Sequence, residues 1–186
     1  MMPRASIIAP VFALLSISST LAAQASAVQT MPLPVLGIGG GISIPAGGIA
    51  KDRQPGFNLD GMAEFRVPSE PLGLRAEVLY QYFGTSKNAL NASSANTVGF
   101  LLNVVYHSPG VLAHPYLIGG MGLYHISDQG NSAGFNVGTG VTIPLQGVGA
   151  YAEARVHFAL AQGPSFVTIP ITFGVTFSGG VEGVRG

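Results

Sequence analysis

The feature that most constrains this chain is a regular alternation of apolar with small or polar residues, clearest in SFVTIPITFGVTFSGG, residues 165–180. Odd positions from Val167 to Phe177 hold Val, Ile or Phe, and the even positions between them hold Thr, Pro or Gly. A period of two is the period of a β-strand, because successive side chains point to opposite faces. The stretch therefore predicts a strand with one apolar and one mildly polar face.

The same alternation recurs along the chain, and no helical period competes with it. Most of the predicted strands have 10 to 12 residues, which is close to the ~9 to 11 that a tilted strand needs to cross a bilayer. The eight predicted strands are Val35 to Ile44, Phe57 to Val67, Gly73 to Phe83, Thr97 to Tyr106, Tyr116 to Ile126, Phe135 to Leu145, Gly149 to Phe158 and Phe166 to Phe177.

The first 27 residues, MMPRASIIAPVFALLSISSTLAAQASA, have the layout of a secretory signal peptide. Arg4 supplies the positive charge, Ile7 to Leu21 the apolar segment, and AQA or ASA the cleavage site, after Ala25 or Ala27. Pro10 and several serines interrupt the apolar segment, which is also shorter than the ~20 residues of a spanning helix, so an uncleaved anchor is disfavoured. We expect a signal peptide at 1–27 and a short lead at 28–34.

The composition favours an exported membrane barrel. Charged residues make up only 9% of the chain, compared with about 25% in a typical soluble domain. The formal net charge is zero, so no nucleic-acid partner is expected, and without cysteine the exported chain cannot use disulfides. A closed barrel satisfies its backbone hydrogen bonds within lipid. The predicted fold is an all-β, eight-stranded antiparallel up-and-down transmembrane β-barrel over residues 35–177.

In the predicted strands, charged residues alternate with apolar ones, so the charges lie on the face opposite to the apolar face. A soluble barrel would need many more charges on its exterior, so the charged parity is predicted to face the lumen. An eight-stranded barrel is about wide enough for side chains to fill. We expect one lumenal charge network that fills the barrel, in preference to a narrow ion or proton path, because unpaired buried charges are costly. Its members are Asp60, Glu64, Arg66, Arg75, Glu77, Glu153 and Arg155.

Aromatic residues on the apolar parity cluster at the strand ends, as expected for girdles at the two membrane interfaces. The alternative, packing of a sandwich core, would not require this clustering. The predicted outer girdle consists of Phe57, Tyr82, Phe100, Tyr124, Phe135 and Phe158, and the predicted periplasmic girdle of Phe65, Tyr106, Tyr116 and Phe177.

The connections between predicted strands alternate in length. The first, third and fifth are long and polar and are predicted to form outer loops at 46–56, 84–96 and 127–134, whereas the second and sixth are tight. The fourth, HSPGVLAHP, is longer than this rule favours. Pro170 predicts a bulge or a lost ladder bond, because a closed barrel has no free edge. A Gly-rich tail at 178–186 follows the terminal aromatic.

YAEARVHF followed by FVTIPITFGVTF at the C-terminal end resembles the bacterial outer-membrane β-barrel domain family of small, opacity-protein-like eight-stranded barrels. The resemblance covers essentially Val35 to Phe177. It implies an outer-membrane protein of a Gram-negative-type bacterium, in a family whose activities are diverse. Barrels of this family commonly end at a terminal aromatic that the assembly machinery reads.

No catalytic, cofactor or metal pattern stands out. The glycines of GIGGGI at 37–42 and GGMG at 119–122 lack the complete nucleotide-binding pattern and fit bends and close packing in a curved sheet better. Histidines 107, 114, 125 and 157 lack zinc-site spacing. The HIS at 125–127 is similar to a motif of outer-membrane lipid A deacylases, but the next strand offers no carboxylate to orient the base, and His125 is predicted to face inward.

The sequence therefore predicts a non-enzymatic outer-membrane barrel, without cofactor, that has a structural or surface-interaction role through its extracellular loops. Expected partners are outer-membrane lipids, the barrel assembly machinery and an extracellular ligand or surface partner. The alternatives are a narrow channel for small solutes, a lipid-modifying barrel enzyme, and a soluble exported calyx.

Overall fold

The structure is a computed structural model, and it describes residues 34–66, 70–85, 94–110, 112–127, 129–160 and 166–178. The predicted signal peptide at 1–27, the lead up to residue 33, the centre of the predicted loop 84–96 and the tail after Ser178 lie outside the described residues. In the part of the chain that is described, no helix is long and apolar enough to span a membrane.

Eight antiparallel strands close into a single barrel, in which each strand pairs with its sequence neighbours and β1 pairs with β8. The predicted eight-stranded up-and-down fold is therefore confirmed. The strands are β1 (Val35–Gly47), β2 (Arg53–Arg66), β3 (Leu72–Thr85), β4 (Ala95–His107), β5 (His114–Ile126), β6 (Gly130–Pro144), β7 (Val148–Ala159) and β8 (Phe166–Ser178).

The strands extend further than the sequence predicts, so two predicted loops are much shorter. Between β1 and β2 only a short 3₁₀ helix, Gly48–Lys51, and Asp52 remain of the loop predicted at 46–56. Strand β6 begins at Gly130, which reduces the loop predicted at 127–134 to the turn after Ile126. Both segments are rich in small or polar residues, whose weak intrinsic preference for strands is overridden by pairing with a long neighbouring strand.

As the alternation predicts, the outer face of the barrel is apolar and its inner face is polar. Large apolar side chains such as Leu59, Phe100 and Leu102 are exposed on the outside, whereas charged and polar side chains are buried inside. Strand β5 is the exception to the predicted phase: Tyr116 and Tyr124, predicted for the aromatic girdles, are only 2% and 1% exposed and point into the lumen. These two predictions are wrong.

His125 was predicted to face inward and instead lies exposed on the outside. The cause is the same as for the two tyrosines. The segment HPYLIGGMGLYHI carries apolar residues on both parities and no acidic residue or arginine, so its pattern does not distinguish the lumenal from the outer face.

Pro170 faces the lumen and pairs with Ser43 of β1. On its other side the ladder between β7 and β8 is interrupted: it runs to Ala154 opposite Ile171 and resumes at His157 opposite Thr168 in the same register. A proline has no N–H to donate, so the ladder loses bonds locally without gaining an extra residue. Of the two outcomes expected from the sequence, the structure has the lost ladder bond.

Candidate functional site

The lumen is the part of this barrel where chemically active side chains are concentrated. Along β3 the inward-facing residues are, in order from one end of the barrel, Phe83, Gln81, Leu79, Glu77 and Arg75, all of them buried. From that end, β3 thus presents to the lumen an aromatic ring, a neutral amide, a leucine and then two charged side chains. On the neighbouring strands β2 and β4, the directly opposite inward residues are Asn58 and Thr97 beside Gln81, and Glu64 and Asn103 beside Arg75.

At the charged level, buried ion pairs form a continuous chain, which we call the lumenal ion-pair network: Glu64, Arg75, Glu77, Glu153 and Arg155. The Arg75 guanidinium donates to Glu64 Oε2 at 2.8 Å and to Glu153 Oε2 at 2.7 Å. The Arg155 guanidinium donates to Glu153 Oε1 at 2.7 Å and also pairs with Glu77. Each arginine therefore bridges two carboxylates, a geometry that the planar guanidinium fork favours.

Arg66 and His107 extend this network at the end of the barrel where β2 and β4 finish. Arg66 Nε lies 3.0 Å from Glu64 Oε1, but the arginine side chain is 51% exposed. His107 Nε2 lies 2.8 Å from the same oxygen and is mostly covered. Arg66 thus occupies the rim, and the three buried glutamates of the network pair with two buried arginines.

Asp60 differs from the other predicted network members. Its Oδ2 accepts a hydrogen bond from the Tyr151 hydroxyl at 2.8 Å, and its Oδ1 is buried without a partner among the described residues. No ion pair with an arginine is formed by Asp60 in this part of the chain. The structure therefore brings together the other predicted charges and leaves Asp60 with a neutral donor.

Three tyrosines that sequence reasoning did not place in the lumen take part in its hydrogen bonding. Tyr116 donates to Glu153 Oε2 at 2.7 Å, Tyr151 binds Asp60, and Tyr124 pairs with His157 Nδ1 at 2.9 Å. The inward position of Tyr151 could have been predicted, because Tyr151 is two residues before Glu153 in YAEARVHF and therefore lies on the same face of the strand. For Tyr116 and Tyr124 the apolar character of both parities of β5 concealed the phase.

Glycines on the inner face make room for these large side chains. A methyl group at Gly140 would overlap the Tyr116 ring, one at Gly174 would overlap the Tyr151 ring, and one at Gly138 would overlap Arg155. The strand glycines are thus matched to bulky partners on neighbouring strands. Close packing, as the sequence led us to expect, accounts for these positions.

Beyond the charged level, a neutral polar level crosses the lumen. Gln81 Nε2 donates to Ser43 Oγ at 2.8 Å, and Thr172 Oγ1 donates to Asn58 Oδ1 at 2.9 Å. An apolar cluster fills this end of the lumen around the polar level, and its member Leu79 lies between Gln81 and Glu77 on β3. We call this cluster the apolar cap; it consists of Ile49, Leu79, Phe83, Leu101, Tyr124, Ile126, Ala159 and Phe166.

The opposite end of the barrel is open to a polar cup of about 820 Å³, which we call the vestibule. Its lining includes Arg66, His107, His114 and Gln146. The vestibule lies at the end where β1 begins and β8 ends, since Val35 and Thr176 also line it. The lumen is therefore accessible from one end and closed by apolar packing at the other.

The outside carries aromatic and polar groups toward the closed end. Phe57 stacks on Tyr82 with ring centroids 5.5 Å apart, and Phe135 stacks on Phe158 at 4.8 Å. Of the other outward members of the predicted girdles, Phe100 lies in the middle of β4, and Phe65, Tyr106 and Phe177 lie at the vestibule end. His125 Nδ1 lies 2.7 Å from Asn131 Oδ1 on this outer surface. Within the described residues, no group of His, Cys, Asp and Glu side chains has an arrangement that could hold a metal ion.

A closed antiparallel barrel with an apolar exterior and a polar lumen defines the class of outer-membrane-type β-barrels. Among solved structures, the fold is similar to that of Neisserial surface protein A, at 15% identity over 78% of this chain and 96% of that one, with a TM-score of 0.63. The outer membrane enzyme PagL is similar at 14% identity over 77% and 98% of the two chains, with a TM-score of 0.50.

The attachment invasion locus protein Ail of Yersinia pestis also matches, at 14% identity over 78% of this chain and 97% of that chain, with a TM-score of 0.49. At these identities the likeness extends to the fold alone. No protein-family model matches the sequence, and no curated protein matches it significantly.

Proposed function

We propose that this protein is an outer-membrane barrel of the small, opacity-protein-like kind, with a structural or surface-interaction role carried by the connections at its capped end. The observation that carries the proposal is the closed lumen. Ion pairs bridge its opposite walls, and the apolar cap occupies one end of the lumen among the described residues. Interactions with other molecules then fall to the outer surface and the connections.

The proposed orientation places the capped end outside the cell and the vestibule in the periplasm. The connections after β1, β3, β5 and β7 lie at the capped end, and the described ends of the chain, near Val35 and Ser178, lie at the other. Short turns belong at the periplasmic end of such barrels. The turn at Gln146–Gly147 fits this rule, because Leu145 N donates to Val148 O at 2.8 Å and Gly147 has a φ of 77°.

Export through the signal peptide, membrane insertion by the barrel assembly machinery and contact with outer-membrane lipids are parts of the same proposal. Cell fractionation, together with gel mobility before and after boiling, tests the location. A heat-dependent mobility shift in the outer-membrane fraction is expected. Recovery of the protein from the periplasm without such a shift would refute the proposal.

The lysines give a sharper test of orientation. The chain contains two, Lys51 and Lys87, and both fall in connections at the capped end. A membrane-impermeant amine reagent applied to intact cells is expected to label the barrel, and the double variant Lys51→Arg/Lys87→Arg is expected to lose that labelling. Labelling that appears only after the outer membrane is permeabilised would place these connections in the periplasm.

The channel alternative is disfavoured by the filled lumen. Purified barrel in planar bilayers is expected to show no stepwise conductance under conditions where a porin conducts. Conductance that disappears on replacing Arg75 or Arg155 would support the channel instead.

The enzymatic alternative also lacks support from side-chain geometry. His125 pairs with the neutral amide of Asn131, and the Ser127 hydroxyl accepts a hydrogen bond from the Asn96 N–H at 3.2 Å. A nucleophile, its base and an acidic orienter are not assembled by these described contacts. Lipid deacylation that is abolished by His125→Ala would overturn the non-enzymatic proposal.

A further inference from the structure

The vestibule is a cup at the mouth of the lumen, and its polar lining belongs to the inward face of the strands. His114 of β5 lies directly opposite Thr142 of β6, and Gly149 of β7 lies directly opposite Thr176 of β8. His114 is two residues before the buried Tyr116, so it lies on the lumenal side of its strand. The vestibule, with a volume of about 820 Å³, is therefore open to water and is separated by the sheet from the lipid-facing exterior.

One wall of the vestibule is basic. Arg66 at the end of β2 and His107 at the end of β4 line it, and we call these two residues the basic wall. An arginine stays protonated at physiological pH, so this wall is cationic whatever the protonation of the histidine. None of the described residues that line the vestibule is an aspartate or a glutamate. No carboxylate of this lining therefore competes with an anionic ligand for the arginine.

Glu64, the buried carboxylate beside the basic wall, is already engaged through both of its oxygens. Its Oε2 accepts from Arg75 Nε and Nη2 at 3.0 and 2.8 Å, and its Oε1 lies 3.0 Å from Arg66 Nε and 2.8 Å from His107 Nε2. The Glu64 side chain is 3% exposed, compared with 51% for Arg66. Arg66 uses its Nε in this contact, so its two terminal nitrogens remain available to a ligand in the vestibule.

The wall across the lumen offers neutral donors. Thr142 of β6 and Thr176 of β8 line the vestibule there, and we call them the hydroxyl wall. Neither hydroxyl has a hydrogen-bond partner in the described part of the chain. A methyl group at Gly149 would overlap Thr176 Oγ1, so the glycine leaves this hydroxyl uncovered. Strands β6 and β8 are each four strands away from one strand of the basic wall, so the two walls face each other.

We propose that the vestibule is a binding site for a small, water-soluble sugar phosphate or polyol phosphate. The phosphate lies against the basic wall, because a guanidinium matches the geometry of phosphate oxygens, and hydroxyl groups at the other end of the ligand bond to the hydroxyl wall. A volume of about 820 Å³ suits such a molecule, since small-molecule pockets have ~300–1,000 Å³, and it is much larger than a bare phosphate needs. In the proposed orientation the ligand enters from the periplasm.

Isothermal titration calorimetry on the full-length protein tests this site. The barrel is kept in a polyoxyethylene detergent and a phosphate-free buffer, so that neither the micelle nor the buffer offers a competing sugar or phosphate. Glucose 6-phosphate is the probe, and glucose, inorganic phosphate and gluconate are its partial analogues. We expect one glucose 6-phosphate to bind per barrel, about tenfold more tightly than each analogue, equivalent to about 1.4 kcal/mol.

The analogues distinguish the classes of ligand. Absence of glucose 6-phosphate binding would overturn the proposal. Equally tight binding of inorganic phosphate would indicate a bare-anion site, of gluconate a carboxylate site, and of glucose a sugar site without a phosphate contact; each result would refute the sugar phosphate. The vestibule lies at the end opposite to the connections that carry the proposed surface role. A negative titration of the purified protein would therefore leave that role standing.

Variants of the basic wall test the phosphate contact. Arg66→Met is expected to weaken the binding of glucose 6-phosphate about tenfold, because it removes a charge-assisted hydrogen bond. Lys51→Met is the matched control: it removes the same charge from an exposed position at the capped end and should leave the affinity unchanged. Unchanged affinity in Arg66→Met, or an equal loss in both variants, would refute the contact.

Variants of the hydroxyl wall test the contact with the other end of the ligand. Thr142→Val and Thr176→Val are each expected to weaken the binding of glucose 6-phosphate about threefold, because each removes one neutral hydrogen bond, and to leave the binding of inorganic phosphate unchanged. Both variants keep every charge in place, so they remain informative if Arg66→Met fails to fold. Full affinity for glucose 6-phosphate in both would refute the two-walled site.

Discussion

Arg75 on β3 and Glu153 on β7 are joined by a hydrogen bond of 2.7 Å, although 78 residues separate them along the chain. In a closed barrel of eight strands, β3 and β7 are four strands apart in either direction, so this ion pair spans the lumen. Glu77 and Arg155 join the same two strands. The lumenal ion-pair network therefore connects opposite walls of the barrel as well as neutralising its buried charges.

Replacing Arg75 with methionine is expected to lower the free energy of unfolding by about 3–5 kcal/mol, because Glu64 and Glu153 would lose a buried cation. Urea unfolding in lipid vesicles measures the change. Arg66→Met is the matched control: Arg66 also pairs with Glu64 but is half exposed, so its loss should cost at most about 1 kcal/mol. Equal costs for the two variants would contradict the role assigned to the network.

Neutralising Asp60 and neutralising Glu153 are expected to have opposite effects. Asp60→Asn removes a buried negative charge that has a neutral partner and keeps an acceptor for Tyr151, so the unfolding free energy should stay unchanged or rise by about 1 kcal/mol. Glu153→Gln leaves two arginines short of a counter-charge and should lower it by about 3 kcal/mol or more. The same urea titration compares them, and a large loss in Asp60→Asn would show that a cation or bound water compensates this carboxylate.

The lumenal glycines are expected to be far less tolerant of substitution than the lipid-facing ones. Gly39→Ala would overlap the Tyr151 hydroxyl and crowd Asp60, so it should lower the unfolding free energy by about 1–3 kcal/mol. Gly61→Ala projects a methyl group into open space and should change it by no more than about 0.5 kcal/mol. If both variants lost similar unfolding free energy, the cause would be the strand backbone and not the fit of side chains within the lumen.

Single cysteines can map how far water-soluble reagents enter the lumen, because the chain has no native cysteine. A cysteine at His114, which lines the vestibule, is expected to react with a charged maleimide in the folded barrel. Ser43→Cys, at a fully buried position in the neutral polar level, is expected to react only after unfolding. Mass spectrometry of the labelled protein measures both, and rapid labelling of Ser43→Cys would indicate an open lumen.

Several features of the fold could be predicted from local sequence because they depend on a period of two. In β3 and β7 the charges share one parity, so the inward placement of Glu77 and Arg155 could be inferred without knowing their partners. The number of strands follows from the same pattern. Strand β5 lacks such markers, which is why the positions of Tyr116, Tyr124 and His125 were predicted on the wrong faces.

The limits of the strands were harder to predict than their existence. Gly130 to Gly134 and Arg53 to Gly56 contain small, polar or turn-forming residues that read as loop, yet they form the ends of long strands. Their conformation is determined by a neighbouring strand that offers backbone hydrogen bonds, because an unpaired backbone group is costly in a membrane barrel. Local composition carries little information about such pairing.

The sequence by itself determined which side chains face lipid and which face the lumen in most strands, and hence the class of barrel, because alternation is a property of a single strand. Only the tertiary structure decided that Arg75 meets Glu153, that Asp60 is left with Tyr151, and that glycines stand opposite bulky rings. Those contacts depend on the register at which eight strands close on themselves. Closure couples every strand to residues far away in sequence, so no local pattern specifies it.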